Sequence, residues 1–566
     1  MYIAIFLFLL LFGYAEGDKK HFFTSPLEIP LTLSANFGEL RPGHFHSGLD
    51  FKTNGVTGKK VLSVADGYIY RIKVSPGGFG NALYIRHNNG YSTVYGHLDR
   101  FAADIEEYVT DYQYREKSFS VNIFTDDNTF PVEQGEVIGY SGNSGGSLGP
   151  HLHFEVRKSS NENPVDPIQF YNIPDDIKPV LKQISIYPLG NNSLVEGRRE
   201  KGIYALGGSK GNYRLNSNRV IKVNGEFGVG ITAWDYLSNS WNKCGIRSLE
   251  VLIDGEPVYL HNIDEFSFSN TRFINSHIDY EEYINNSTYI QKAFLSPNNE
   301  LKIYDKVKNS GRISLTDYEA HNVVIVAGDY SGNQSRVSFA VQKDSTISLT
   351  GKQEKSSGRI MPFNQRNEFI HHDIKITFPE YSFYDTLTFV YKKIPGDSTL
   401  LSDIHFIHLP SVPVHKYFNI LIKPSITDTT ILSKACIVSI SGNDTSYVGG
   451  EYSDGFLKAR IRSFGTYSIG IDTVRPEIKA LNFSKNKNLR GRDELKLGIK
   501  DNFSGILGYE ALIDGKWTLF EWDPKNDLLK FKFSKGSLLK NTDHKLELTV
   551  EDACGNSSTF ETTFFW

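Results

Sequence analysis

GGFGNALYIRHNNGYSTVYGHL, residues 77–98, reads as two strands folded back on each other. NALYIRH and YSTVYGHL are rich in β-branched and aromatic residues, and Asn89-Gly90 between them is a strong hairpin signal. Asp66-Gly67 gives the same signal inside VLSVADGYIYRIKV, residues 61–74, and GEVIGYSGNSGG, residues 135–146, adds a further strand ending in glycine turns. From Leu27 to about Arg157 the chain therefore reads as a compact antiparallel β domain. One helix is expected within it, because Phe101, Ile105, Tyr108, Val109 and Tyr112 recur at helical spacing in FAADIEEYVTDYQYREK.

At 566 residues, the chain is long enough for about four domains of about 150 residues. Lys and Arg number 61 against 65 Asp and Glu, a net charge of −4, which provides no basic field for nucleic acid. Three cysteines, widely spaced, exclude a disulfide framework and a thiolate metal site, so any metal must sit on histidines and carboxylates. The apolar run IAIFLFLLLFGY, residues 3–14, followed by Ala15-Glu16-Gly17, reads as an export signal covering residues 1–17. It is shorter than the roughly 20 residues of a membrane span, and no later stretch supplies one.

An internal repeat fills much of the remainder. DDIKPVLK from Asp175 aligns with DTVRPEIK from Asp472, and GIRSLEVLIDG from Gly245 matches GILGYEALIDG from Gly505 at seven of eleven positions. Each copy closes with D-x-x-G-N-x-S, at Asp329 to Ser335 and at Asp552 to Ser558. Asp254 and Asp329 are 75 residues apart but Asp514 and Asp552 only 38, which places an insertion near residues 262 to 312 of the first copy. The expected organisation is the antiparallel β domain over 27–170, an immunoglobulin-like sandwich with an insertion over 175–345, a sandwich-like unit over 350–470 and a second immunoglobulin-like sandwich over 472–566. The closing D-x-x-G-N turns lack the clustered carboxylates of a calcium loop and read as turns.

Chemistry concentrates in three short segments. In HLHFEV, residues 151–156, strand alternation puts His151, His153 and Glu155 on one face and Leu152, Phe154 and Val156 in the core. HFHSGLD supplies His46 and Asp50, which a straight strand would hold roughly 13 Å apart, so their convergence needs a bend that Gly48 permits. YGHL places His97 at the end of a strand-like run. Together these residues supply the ligands of a His, His, carboxylate zinc site with an open position and spare imidazoles for proton transfer. His44 reads as an exposed turn residue, His87 as a strand-end residue, and His371, His372, Asp373, His405 and His408 as structural or surface groups.

With these motifs in order, and with ADGYIY, SPGGFGN and GNSGGSLGPHLHFEV flanking them, residues 30 to 160 resemble the lysostaphin-type (LytM-like) zinc endopeptidases of bacterial cell walls. The resemblance implies an all-β catalytic domain of the duplicated-hybrid-motif type, followed here by β-sandwich modules. It implies one Zn2+ held by His46, Asp50 and His153, with His151 as general base and His97 steadying the tetrahedral oxyanion. It implies peptidoglycan peptides as substrate and an exported protein, periplasmic or extracellular, associated with the cell wall. The sandwich modules are then expected to meet glycan or other cell-envelope proteins. Some members of the family have lost these residues and only activate other hydrolases, so retention of all five favours an enzyme over the alternative, a catalytically silent cell-wall-associated scaffold or hydrolase activator.

Overall fold

The computed structural model describes residues 22–190, 192–217, 219–346, 358–484, 487–536 and 538–566; the expected export segment, 1–17, lies outside the described residues. Strands dominate, and the N-terminal sheet contains β1 (Leu49–Lys52), β2 (Gly67–Val74), β3 (Asn81–His87), β4 (Tyr91–Phe101), β5 (Val137–Ser141) and β6 (His151–Lys158). Its spatial order is β1, β6, β4, β3, β2, every pair antiparallel, with β5 added along the end of β4. Alternation does here what the sequence pattern requires. Leu152, Phe154 and Val156 of β6 are fully buried with Leu49 and Phe51 of β1 and Tyr95 of β4, which leaves the opposite face of β6 for polar groups.

The expected helix is α1 (Ala103–Glu116). Its buried residues are Ile105, Val109 and Gln113, while Phe101 belongs to β4 and Tyr108 is exposed, so the apolar stripe is narrower than its sequence spacing suggests. The Glu106 carboxylate accepts the Phe101 N–H (2.9 Å), satisfying a donor ahead of the first turn.

The first repeat copy contains β7 (Val180–Pro188), β8 (Phe227–Tyr236), β9 (Ser248–Ile253), β10 (Glu256–Asn262), β11 (Ala320–Gly328) and β12 (Gln334–Lys343). The strand Gly202–Ser209 pairs with β7 along its first half and with Asn212–Leu215 along its second, carrying the chain from one layer of the sandwich to the other. In the region 358–472 two five-stranded sheets enclose Phe378, Phe383, Phe389, Phe418 and Phe464. The second copy contains β13 (Glu494–Lys500), β14 (Ile506–Ile513), β15 (Asp543–Asp552) and β16 (Ser557–Phe565).

The copies agree in detail. Asp254-Gly255 has φ of +50° and +85°, and Asp514-Gly515 has +52° and +75°, the two positive angles of a type I′ hairpin turn. Asp254 accepts the Asn322 N–H (2.8 Å) and meets His321 Nδ1 (2.6 Å); Asp514 accepts the Lys545 N–H (2.8 Å) and meets His544 Nδ1 (2.7 Å).

The segment between β10 and β11 carries two short helices, Ile274–His277 and Tyr280–Asn286, and wedges between units. Phe266 stacks on Phe37 (5.0 Å between centroids) and packs on Phe45 (5.4 Å), and Thr271 Oγ1 accepts the Phe45 N–H (2.8 Å). Arg272 donates to the Val414 carbonyl (3.2 Å), while Tyr384 donates to the Arg272 carbonyl (2.9 Å). The second copy reaches α1, with Trp517 edge-on to Tyr114 (5.5 Å) and Lys535 paired with Glu106 (2.5 Å). Among the described residues, no helix is long and apolar enough to cross a membrane.

Candidate active site

β6 runs between β1 and β4, and its register assembles the site. His153 lies opposite Asp50 on one side and opposite Gly96 on the other. The chain bends between Phe45 and β1, which brings His46 beside Asp50. Gly48 serves this bend through its missing side chain and not through an unusual φ, since a Cβ there would stand 2.2 Å from the Phe154 carbonyl oxygen.

His97 arrives differently. It has φ of +60° within β4, where the pairing with β3 slips between Asn81–Leu98 and Leu83–Tyr95. One extra residue on β4 makes a bulge, and the bulge re-aims the side chain. Its N–H still donates to the Phe79 carbonyl (2.8 Å). The ring lies 4.8 Å from that of His151 and 5.9 Å from that of His153, centroid to centroid.

Three ligand atoms converge. His46 Nε2 lies 3.1 Å from Asp50 Oδ1 and 3.2 Å from His153 Nδ1, and His153 Nδ1 lies 2.8 Å from Asp50 Oδ1. His151 Nε2 stands 3.5 Å from the same carboxylate oxygen. Every imidazole has its other nitrogen engaged: His46 Nδ1 with the Asn36 carbonyl (2.7 Å), His97 Nδ1 with Ser144 O (2.9 Å), His151 Nδ1 with Gly149 O (2.8 Å), and His153 Nε2 with Glu155 Oε1 (3.0 Å). Carbonyl and carboxylate oxygens only accept, so these outer nitrogens carry protons, and in each ring that is neutral the inner nitrogen presents a lone pair. With the His46 and His153 rings neutral, three acceptors face one another at about 3 Å, an arrangement that a metal cation would satisfy, and the N, N, O donor set suits zinc.

The charges agree with that demand. Burial opposes ionisation of Asp50, but the surrounding histidines hold its carboxyl well below the usual range. Burial also opposes a charged His153, yet hydrogen bonds to Asp50 and Glu155 push this imidazole up to about 9, so the pocket draws in positive charge. For His97, burial and then the neighbouring His153 and His151 bring it down to about 3, so the ring is neutral at physiological pH.

Several groups not assigned a role from sequence complete the site. Glu155, fully buried, orients His153 and is itself gripped by Ser47 and by Arg157 Nε (2.6 Å), which outweighs burial and brings it down to about 2. The period-2 pattern extends to Arg157, so this pairing was readable as a continuation of the His151, His153, Glu155 face. Phe79 stacks on the His153 ring (4.7 Å). The loop from Gly142 to Gly149 supplies the carbonyls that hold His97 and His151; it lies against the loop at Gly78, which a Cβ on Gly145 (φ +66°) would strike at 2.5 Å. Lys525 of the second copy donates to the Asn143 and Ser147 carbonyls (2.9 Å to the latter). His44 is exposed beside the cleft, and His87 is a buried strand-end residue bound to Asp66 O and Thr93 Oγ1. His405 meets the Tyr391 hydroxyl (2.8 Å) and Asp373 pairs with Lys393 (2.6 Å), and the described residues group neither into a metal cluster.

Residues 44–114 and 119–167 match the family model described as peptidase family M23. This part of the chain is a peptidase family M23 domain. Residues 358–472 match a second model, the Zu5-like domain. The M23-containing chain is 35% identical over 161 residues to the DD-carboxypeptidase/endopeptidase Mpg of Neisseria meningitidis serogroup B, covering 28% of this chain and 30% of that protein. It is 30% identical over 131 residues to lysostaphin of Staphylococcus simulans, covering 23% of this chain and 22% of lysostaphin. A solved structure, the catalytic domain of that lysostaphin, aligns at 25% identity with a TM-score of 0.19, covering 25% of this chain and 91% of the domain. The chain thus spans less than a third of the length of each of these two full-length relatives.

Proposed function

We propose that the protein is a zinc endopeptidase that hydrolyses peptide cross-links or stem peptides of peptidoglycan, exported to the periplasm or cell surface, with His46, Asp50 and His153 holding the metal. The reading rests on the acceptor triangle of His46 Nε2, Asp50 Oδ1 and His153 Nδ1, with two further imidazoles beside it. The family match and the endopeptidase and lysostaphin names of similar proteins support it. Bound there, zinc would polarise the scissile carbonyl and acidify the attacking water.

The chain's own groups handle the proton. His151 Nδ1–H is tied to Gly149 O, so Nε2 is the atom that takes the proton from water. His97 is in the same state, its proton on Nδ1 facing Ser144 O, and it can donate to an oxyanion only after a proton reaches its Nε2. His151 therefore carries the one proton from water to the leaving amine, while His97, its ring 4.8 Å away, stands beside the reacting carbonyl to steady the oxyanion. A cleft of about 1110 Å³ that includes Arg41, Lys52, Phe79, Leu148 and Phe268 gives an extended peptide both cationic and apolar contacts.

Incubation of the full chain with purified peptidoglycan, and in parallel with an unrelated protein substrate, tests this. Peptide-cleaved muropeptides identified by mass spectrometry are expected from peptidoglycan. Intact peptidoglycan from zinc-bearing protein would turn the reading to a silent scaffold or activator.

A further inference from the structure

The two repeat copies share a constellation remote in role from the cleft. Carboxylate oxygens of Asp175, Asp235 and Asp329 in the first copy lie within 4.8 Å of one another, and those of Asp472, Asp501 and Asp552 do so in the second. The members correspond one to one. Asp175 and Asp472 stand where the chain enters each copy, Asp235 and Asp501 at the ends of β8 and β13, and Asp329 and Asp552 at the ends of β11 and β15. The scaffolding matches as well. Asn333 and Asn556 each donate from the side chain to the closing aspartate (2.8 Å) and to the backbone carbonyl of the entry aspartate (3.2 and 2.9 Å). Ser238 and Ser504 donate backbone N–H groups to the entry carboxylates (3.0 and 3.1 Å). The D-x-x-G-N segments are turns, as their sequence indicates, but carboxylates from two other segments join them.

These hydrogen bonds leave acceptors over. Asp235 is 2% exposed and its buried Oδ1 meets no donor, and the buried Asp175 Oδ2 and Asp501 Oδ1 are equally unpartnered. The charged side chains bearing on Asp235 are Asp329 and Asp175, both negative. A buried carboxylate oxygen without a donor, facing two more carboxylates, is strongly unfavourable unless the group takes up a proton or a cation is shared among them, and three carboxylates in one place offer the cation its ligands.

We propose that each triad binds a calcium ion, and that the ion fastens the entering segment to two strand ends of its sandwich. All donors in the two groups are oxygen, which selects a hard cation over zinc. Their origin in three separate segments suits calcium's loose coordination better than the strict octahedron of magnesium. The sites fall at the two places where a preceding unit meets a repeat copy, so calcium would set the stiffness of both joints.

The full chain, stripped of metal and dialysed against calcium, tests this by its calcium content and by hydrogen exchange. Two ions per chain are expected, one in Asp235→Asn, one in Asp501→Asn and none in the double variant. In the parent, calcium should slow exchange around residues 172–177 and 470–475. Should the variants fail to fold, that protection in the parent still decides the matter. Fewer than two calcium ions in the parent at millimolar calcium, a content unchanged by the substitutions, equal protection by magnesium, or no protection at either joint would overturn the proposal.

Discussion

Each imidazole in the cleft has one nitrogen already committed, and the partner that commits it sets what the other can do. Glu155 is the most informative case, because it acts on His153 and on no other imidazole of the cleft. Glu155→Gln keeps the shape but weakens the hold on His153, and a second-layer loss of this kind lowers zinc affinity by about 10- to 100-fold. It also removes the buried half of Arg157's charge pairing, leaving only the half-exposed Glu162 at 3.7 Å, so denaturant unfolding should show a loss of up to about 3 kcal/mol. A pH dependence follows from His153. With its folded value raised to about 9, the stabilisation is complete below the ordinary value of about 6.5 and is lost as pH rises through about 9. Metal-free protein should therefore lose up to roughly 3 kcal/mol across that window, seen as a falling Tm, whereas zinc-loaded protein should not, because a ligating His153 is already neutral. The alternation of HLHFEV made the His151, His153 and Glu155 face legible in the sequence. His97 was less so, since its orientation comes from a bulge that strand periodicity does not announce.

Among elements, the β1–β6–β4 register carries the site, and the fit of β1 against β6 depends on a residue without a side chain. Gly48→Ala would put a methyl 2.2 Å from the Phe154 oxygen, separating Asp50 from His153. The expected result is a loss of about 1–3 kcal/mol in urea unfolding together with loss of bound zinc. Hairpins and strand faces could be read from turn dipeptides and period-2 runs, as at Asn89-Gly90 and Asp254-Gly255. Helix α1 was legible in position but not in its buried stripe, because Tyr108 turns out to the surface against Phe130 (5.2 Å). The aspartate triads were half legible: the D-x-x-G-N turns repeat in sequence, but Asp235 and Asp501 lie 94 and 51 residues before the closing aspartates and meet them only through strand packing.

Over the whole molecule, the modules do more than trail behind the N-terminal domain. Phe266, from the segment between β10 and β11, fills the space against Phe37 and Phe45. Phe266→Ala should cost about 3–5 kcal/mol and split a single thermal transition into two, read by calorimetry. Lys525 reaches across from the second copy to the loop that holds His97 and His151, and Lys525→Ala should lower kcat by about tenfold or less with metal content unchanged. Such contacts could not be read from sequence, since they pair residues belonging to no shared motif; the repeat that builds the two copies could. The most direct measurement titrates zinc into chelated full-length protein and into His151→Ala while following release of peptide fragments from purified peptidoglycan. Release that rises to a plateau at one zinc per chain in the parent, with the variant binding that zinc and releasing nothing, is the expected result. Release without zinc, or undiminished release by the variant, would contradict it.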